Sequence, residues 1–228
     1  MLPIFASMDS SLKFLNLIRQ NNNREWFEAH KEEFLIQQAA IEKFADQLLA
    51  DLNIHDLIET ASGKKSMHRI YRDIRFSKNK APYKSNFSGN FSRASQQRRG
   101  GYYFHIEPGN TFIGGGFQAP NAGDIKLIRE EISADPVPLR KILASRSFIS
   151  TFGDLRGEQL KTAPKGFDIH DESIDLLRYK QFLLVRNFTD KEVASPAFVK
   201  EAGETFRNMR PFFDYMSAAL GSNSNGES

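Results

Sequence analysis

The apolar positions of this chain change period along its length. Leu12, Leu15 and Ile18 recur at helical spacing behind Asp9 and Ser10, which predicts a first helix capped there and ending near Arg19. Asn21, Asn22 and Asn23 interrupt it, and Asn22 with Glu25 has the spacing of a capping box. A second helix is predicted from Arg24 to about Leu52. Trp26, Phe27, Phe34, Ile41, Phe44, Leu48 and Leu52 form its apolar stripe, with Glu28, Glu32, Glu33, Glu42 and Asp46 outside it.

The period then shortens to two. Alternation from His68 to Phe76 predicts a strand with His68, Ile70, Arg72, Ile74 and Phe76 on one face and Arg69, Tyr71, Asp73 and Arg75 on the other. This register sets Arg72 among apolar neighbours. An unpaired guanidinium is costly there, so a carboxylate or a bound anion is required. Pro82 marks a loop or a sheet edge. Phe87 and Phe91 alternate with polar residues in a further strand, followed by an exposed basic loop at Gln96 to Arg99.

Tyr102, Phe104 and Ile106 alternate with Tyr103, His105 and Glu107 ahead of Pro108-Gly109-Asn110, a hairpin turn, and Thr111 to Phe117 is the return strand. Gly114-Gly115-Gly116 within it implies a bulge or a close approach by a backbone or ligand.

Helices are expected from Gly123 to Pro136 and after Pro138. Residues 151–170 read as mostly irregular, 171–179 as a short helix and 181–188 as a strand. Ser195 caps a last helix with Pro196 at its first position, burying Phe198, Phe206, Phe213 and Met216. The expected fold is α+β: a largely antiparallel sheet packed against N- and C-terminal helices. One domain over 1–220 is expected, with a disordered Gly/Ser/Asn tail at 221–228.

Composition narrows the chemistry. The 228 residues include no cysteine, which excludes disulfides, thiolate metal sites and a cysteine nucleophile. No apolar run reaches the roughly 18 residues of a membrane helix, and the start lacks a signal-peptide pattern. The cytoplasm is therefore the expected location, with no membrane partner. Net charge is only +3, yet residues 64–101 hold eleven Lys/Arg and one acid, a local balance of +10 against −7 elsewhere. Such asymmetry suits phosphate or another anion.

The sharpest candidate is Arg69 to Lys84, RIYRDIRFSKNKAPYK. Arginines grip phosphate bidentately, lysines add point charge and nearby rings can stack on a base. The expected site is a basic, aromatic-lined pocket for a phosphorylated small molecule or other anion. Arg69, Arg72, Arg75, Lys78, Lys80 and Lys84 would form it with Tyr83 and Gly115. Acid–base roles, were the pocket enzymatic, fall to Asp73, with a pKa raised by burial, or to His105 and Glu107.

Two alternatives stand beside this reading. One is a nucleic-acid-binding module over 64–101, extended by Arg93, Arg98 and Arg99. The other is a structural or protein-interaction domain whose charges pair internally. A metal site is not expected, because His105 and Glu107 supply only two ligands on one strand. No motif names a cofactor: the glycine triplet lacks both the Walker and the dinucleotide spacing, and no G-x-S-x-G elbow occurs.

Four segments carry a resemblance to a known family: NNNREWFEAHKEEF (21–34), RIYRDIRFSKNKAPYK (69–84), GGYYFHIEPGNTFIGGGFQAP (100–120), and LKTAPKGF with IDLLRYKQF (160–182). On these the chain resembles the DUF2461 family, of unknown function. The resemblance implies an α+β domain and no reaction or cofactor. The family pattern more often has Asp at Asn79 and Thr or Ser at Ala81.

Overall fold

The computed structural model describes residues 4–94 and 99–221. The expected tail beyond Gly221 and most of the expected Gln96–Arg99 loop lie outside the described residues. Helices α1 (Ile4–Gln20), α2 (Arg24–Ala29), α3 (Lys31–His55) and α4 (Gly63–Ser66) come first. Strands β1 (Phe87–Ser92), β2 (Gly101–Ile106) and β3 (Thr111–Phe117) follow, then α5 (Ala122–Ala134), α6 (Val137–Leu143), α7 (Arg146–Phe152) and α8 (Ile174–Leu177). The chain closes with β4 (Phe182–Phe188), α9 (Asp190–Val193) and α10 (Phe198–Gly221). The strands form one antiparallel sheet in the order β1-β2-β3-β4, with helices at both ends of the chain, an α+β fold as the alternation implies.

Residues divide into two compact units. The first holds Met1–Phe91, Tyr103–Ile113 and Asn187–Glu204, the second Ser92–Tyr102, Gly114–Arg186 and Thr205–Ser228. In the first unit α1 packs on α3, burying Leu12, Phe14, Leu15 and Ile18 against Ile41, Phe44 and Leu48. Both Ser10 and Ser11 donate to the buried Gln37 side chain, at 2.7 and 3.0 Å, which satisfies an amide the core would otherwise penalise. Phe44 meets Phe104 edge-on and stacks on Phe198.

In the second unit Tyr102 contacts Phe206 and Phe213, and Phe117 meets Phe213. Gly115 is required by this packing: a Cβ there would lie 2.7 Å from Gly101 O and 2.9 Å from both Met209 Sδ and the Phe213 ring. Gly116 has φ +131°, and a Cβ would collide with Phe182 O.

Several expected boundaries are corrected. α1 begins at Ile4, so Asp9 and Ser10 lie within it; Asp9 pairs with Lys13. The expected helix over 24–52 is broken at His30, whose backbone leaves helical geometry (φ −114°, ψ 21°) while its ring Nδ1 sits 2.8 Å from Trp26 O. The N-cap of α2 is Asn23, accepting from Trp26 N, not Asn22. α7 occupies part of the stretch read as irregular, and α9 with its Thr189–Glu192 capping box precedes the last helix. α10 starts at Phe198, and Ser195 instead holds the turn ahead of it by accepting from Ala197 N.

Candidate functional site

The basic stretch is a hairpin arm rather than the expected sheet strand. Met67 bridges Gly89, and His68 N donates to Ser88 O at 2.8 Å, which ties the arm's base to the β1 edge. The chain then pairs with itself. Tyr71 bridges Tyr83, Arg72 N donates to Pro82 O at 2.9 Å, and Lys84 N donates to Ile70 O at 2.8 Å. This pairing ends at Arg72, so no ladder maintains the predicted alternation beyond it: Ile70 is buried, Ile74 half-buried and Phe76 96 % exposed.

Arg72 is consequently not set in an apolar face. It is half-buried, and Nη1 donates to Ala81 O at 3.2 Å across the arm. A backbone carbonyl, not a carboxylate, receives it. Arg75 pairs bidentately with Asp73, at 3.0 and 2.6 Å. That guanidinium holds the Asp73 carboxyl below its ordinary range, the opposite of the raised value a general base there would need. Lys80 Nζ donates to Ile74 O at 3.0 Å, and Lys78 is exposed.

Lys84 is half-buried, and burial, then the Arg69 charge, lowers its pKa. Among the described residues Lys64, Arg69, Arg72, Lys78, Lys80 and Lys84 form no ion pair.

The arm's root is fastened by residues far away in sequence. Asn22 uses its amide as a strand partner, donating to Tyr83 O and accepting from Tyr83 N, both at 3.0 Å. The Tyr83 ring stacks on Phe27, centroids 3.9 Å apart, and is only 4 % exposed. Tyr83 thus anchors the arm. Gly115 belongs to the second unit, packed as described above.

Between α3 and the arm lies a cleft of about 310 Å³. Phe34, Gln38 and Glu42 of α3, Lys64 of α4, the arm segment Met67 to Tyr71, and Phe87 of β1 line it. Phe34 and Phe87 stack at 5.9 Å, and Tyr71 stands 49 % exposed at the edge. Glu42 is the one carboxylate among the lining residues, and Gln38 donates to it at 2.7 Å. Lys64 and Arg69 supply the nitrogen donors, while the His68 ring is turned to other side chains, its Nδ1 3.3 Å from Ser88 Oγ.

His68 also leads onto a polar row on β1 and β2. Its Nε2 lies 2.9 Å from Asn90 Oδ1, and its ring is 6.0 Å from that of Tyr103. Tyr103 Oη is 3.3 Å from His105 Nδ1, while His105 Nε2 donates to Glu107 at 3.0 Å. Asn110 and Ser85 also donate to Glu107. Burial opposes its charge, but these three hydrogen bonds outweigh burial and hold the carboxyl below its ordinary value. The alternation of β2 made Tyr103, His105 and Glu107 legible as one face. The role of His68 was legible only as a residue type, because the fold brings it to Asn90.

The second unit treats its arginines differently. Arg93, 1 % exposed at its side chain, donates to Arg99 O, Ser217 and Asp214 and lies over the Phe213 ring at 5.4 Å. Arg99 pairs with Asp124. Neither extends a track of open charge, and Arg98 lies outside the described residues. No group of three metal-ligating side chains occurs among the described residues, and no described helix is long and apolar enough to cross a membrane.

Fold and site together define an α+β protein carrying a basic, ring-lined cleft at the root of a cationic arm. The chain belongs to the DUF2461 family, described as a conserved hypothetical protein, whose model matches residues 10–215. No curated protein and no solved structure matches it.

Proposed function

We propose that the α3–arm cleft binds a phosphorylated small molecule. The observation that carries this reading is a cleft with two cations, Lys64 and Arg69, on its wall against one carboxylate, Glu42. Lys64 and Arg69 outnumber that single carboxylate and neither is in an ion pair among the described residues, so both remain free to meet an anion. Arg69 offers a planar fork for two phosphate oxygens and Lys64 a point charge. Phe34, Phe87 and Tyr71 provide the apolar wall for the rest of the ligand, the usual division of labour in a small-molecule site. The row from His68 through Tyr103 and His105 to Glu107 supplies acid–base groups beside the cleft.

Thermal-shift and calorimetric titration with nucleotides, sugar phosphates and inorganic pyrophosphate tests the reading. Wild type should gain melting temperature with at least one of them. Arg69→Ala should lose the gain, and Arg75→Ala, whose guanidinium is committed to Asp73, should keep it. A wild type unmoved by every compound, or an Arg69→Ala variant that responds in full, sinks the proposal.

A further inference from the structure

Phe76 is 96 % exposed at the tip of the arm, and nothing in the folding of the chain calls for it there. The tip is built to hold that ring outward. Ser77 N donates to Ile74 O, Asn79 Oδ1 accepts from Ala81 N, Lys80 Nζ closes onto Ile74 O and Arg72 closes onto Ala81 O. These bonds fix both flanks of Phe76 while its own side chain stays in solvent.

Charge surrounds the ring. The Arg75 guanidinium lies 6.0 Å from its centroid, Lys78 is exposed, and Lys80 retains two ammonium donors beyond the one given to Ile74. The tip's one acid, Asp73, is held by Arg75, so it does not confront an approaching anion on its own.

We propose that the tip of the arm, Phe76 with Lys78 and Lys80, binds single-stranded nucleic acid, a base stacking on Phe76 while adjacent phosphates contact the two lysines. A sequence-tolerant single-strand site needs an open aromatic face with cations a few residues away. The tip supplies both, independently of the residues that line the cleft. An anionic lipid surface would use the same charge but asks for more apolar area than one ring. The neighbours of Phe76 toward the turn are Ser77, Lys78, Asn79 and Lys80.

Fluorescence anisotropy of labelled oligo(dT) and oligo(U), about 12 nucleotides long, with the whole chain at about 50 mM salt decides the matter. Wild type should bind both strands. Phe76→Ala should weaken binding about tenfold or more, and Phe76→Trp should restore it. The double variant Lys78→Ala/Lys80→Ala should flatten the log–log salt dependence by about 1.4, roughly 0.7 for each phosphate no longer neutralised.

Melting temperature serves as the folding control, and Phe76→Ala should melt with wild type. The proposal is overturned by a wild type that binds neither strand, by a Phe76→Ala variant that binds as wild type, or by a salt slope unchanged in the lysine variant. It is equally overturned if Phe76→Ala melts well below wild type, since the ring would then serve the fold. Phosphatidylserine vesicles form the other arm. Phe76-dependent binding to vesicles without binding to the strands assigns the tip to lipid instead.

Discussion

Two arginine-containing segments of this chain, read as one basic stretch in sequence, meet opposite environments. In the arm, Arg69 and Lys84 are close enough for one charge to depress the other's pKa, and neither has a carboxylate partner among the described residues. In the second unit, Arg93 is more deeply buried yet has Asp214, Ser217, a backbone carbonyl and the Phe213 face around it. Local composition therefore does not decide whether a cation is left for a ligand. What decides is whether the fold delivers a carboxylate, and here Asp214 arrives from 121 residues away. A guanidinium so enclosed is structural, whereas one that lines a cleft and makes no ion pair is available.

The comparison predicts its largest effect at Arg93. Arg93→Ala should destabilise the protein by about 2–3 kcal/mol, because it removes a buried side chain with its hydrogen bonds to Arg99 O, Ser217 and Asp214 and its packing on Phe213, while Asp214, half exposed, keeps Arg210 as a partner. Arg93→Met, which keeps the stem over Phe213, should cost less. Urea unfolding followed by far-ultraviolet circular dichroism, which reads the helices of both units, measures both. Arg69→Ala should move stability by less than about 0.5 kcal/mol in the same assay, as surface changes away from special features do. Equal losses at the two arginines would erase the distinction.

Glu107 gives the next effect and sharpens the contrast within the first unit. Its half-buried carboxylate serves His105, Asn110 and Ser85 and leaves the arm's cations uncompensated. Because its folded pKa is depressed below the ordinary 4.5, the stability it contributes is present above that pH and lost as pH falls through the folded value. Glu107→Gln should cost about 1–2 kcal/mol at neutral pH, with the gap to wild type closing as the solution is acidified below about 4.5. A gap constant from pH 7 to pH 3 would mean that the charge of Glu107 has no part in it.

The sequence made the period-two strands and the main helical faces readable, because burial of one face leaves a direct imprint on Phe87, Phe91, Tyr102, Phe104 and Ile106. The arm departs from the expected strand for a physical reason. Alternation from His68 to Phe76 is a one-dimensional signal, whereas the actual partner of residues 70–72 is residues 82–84, a local pairing that ends before the alternation does. The concentration of charge was legible, and so was the face shared by His105 and Glu107. The cleft was not, since it depends on Phe34 and Gln38 of α3 meeting Arg69 and Tyr71 across an intervening helix and loop. The fates of Arg93 and Arg99 were hidden for the same reason: both are neutralised by carboxylates distant in sequence.

The smallest expected effect lies at Lys84 and bears most directly on the arm. Burial and then Arg69 depress its pKa below the ordinary 10.5, so the protonated side chain is less welcome in the folded state than in the unfolded one. The unfolded chain binds the extra proton between the folded and unfolded values, and stability must rise with pH through that window. Wild type should therefore gain a few tenths of a kcal/mol relative to Lys84→Gln on approaching pH 10.5, as an order of magnitude for one partly buried cation. Arg69→Ala should shrink the gain by removing the charge contribution and leaving only burial. A ligand phosphate lodged beside Arg69 should shrink it too, by pulling the Lys84 pKa back up. If Arg69→Ala leaves the alkaline rise of wild type intact, the two cations do not sense one another, and the electrostatic case for an anion in the cleft rests on Lys64 and Arg69 alone.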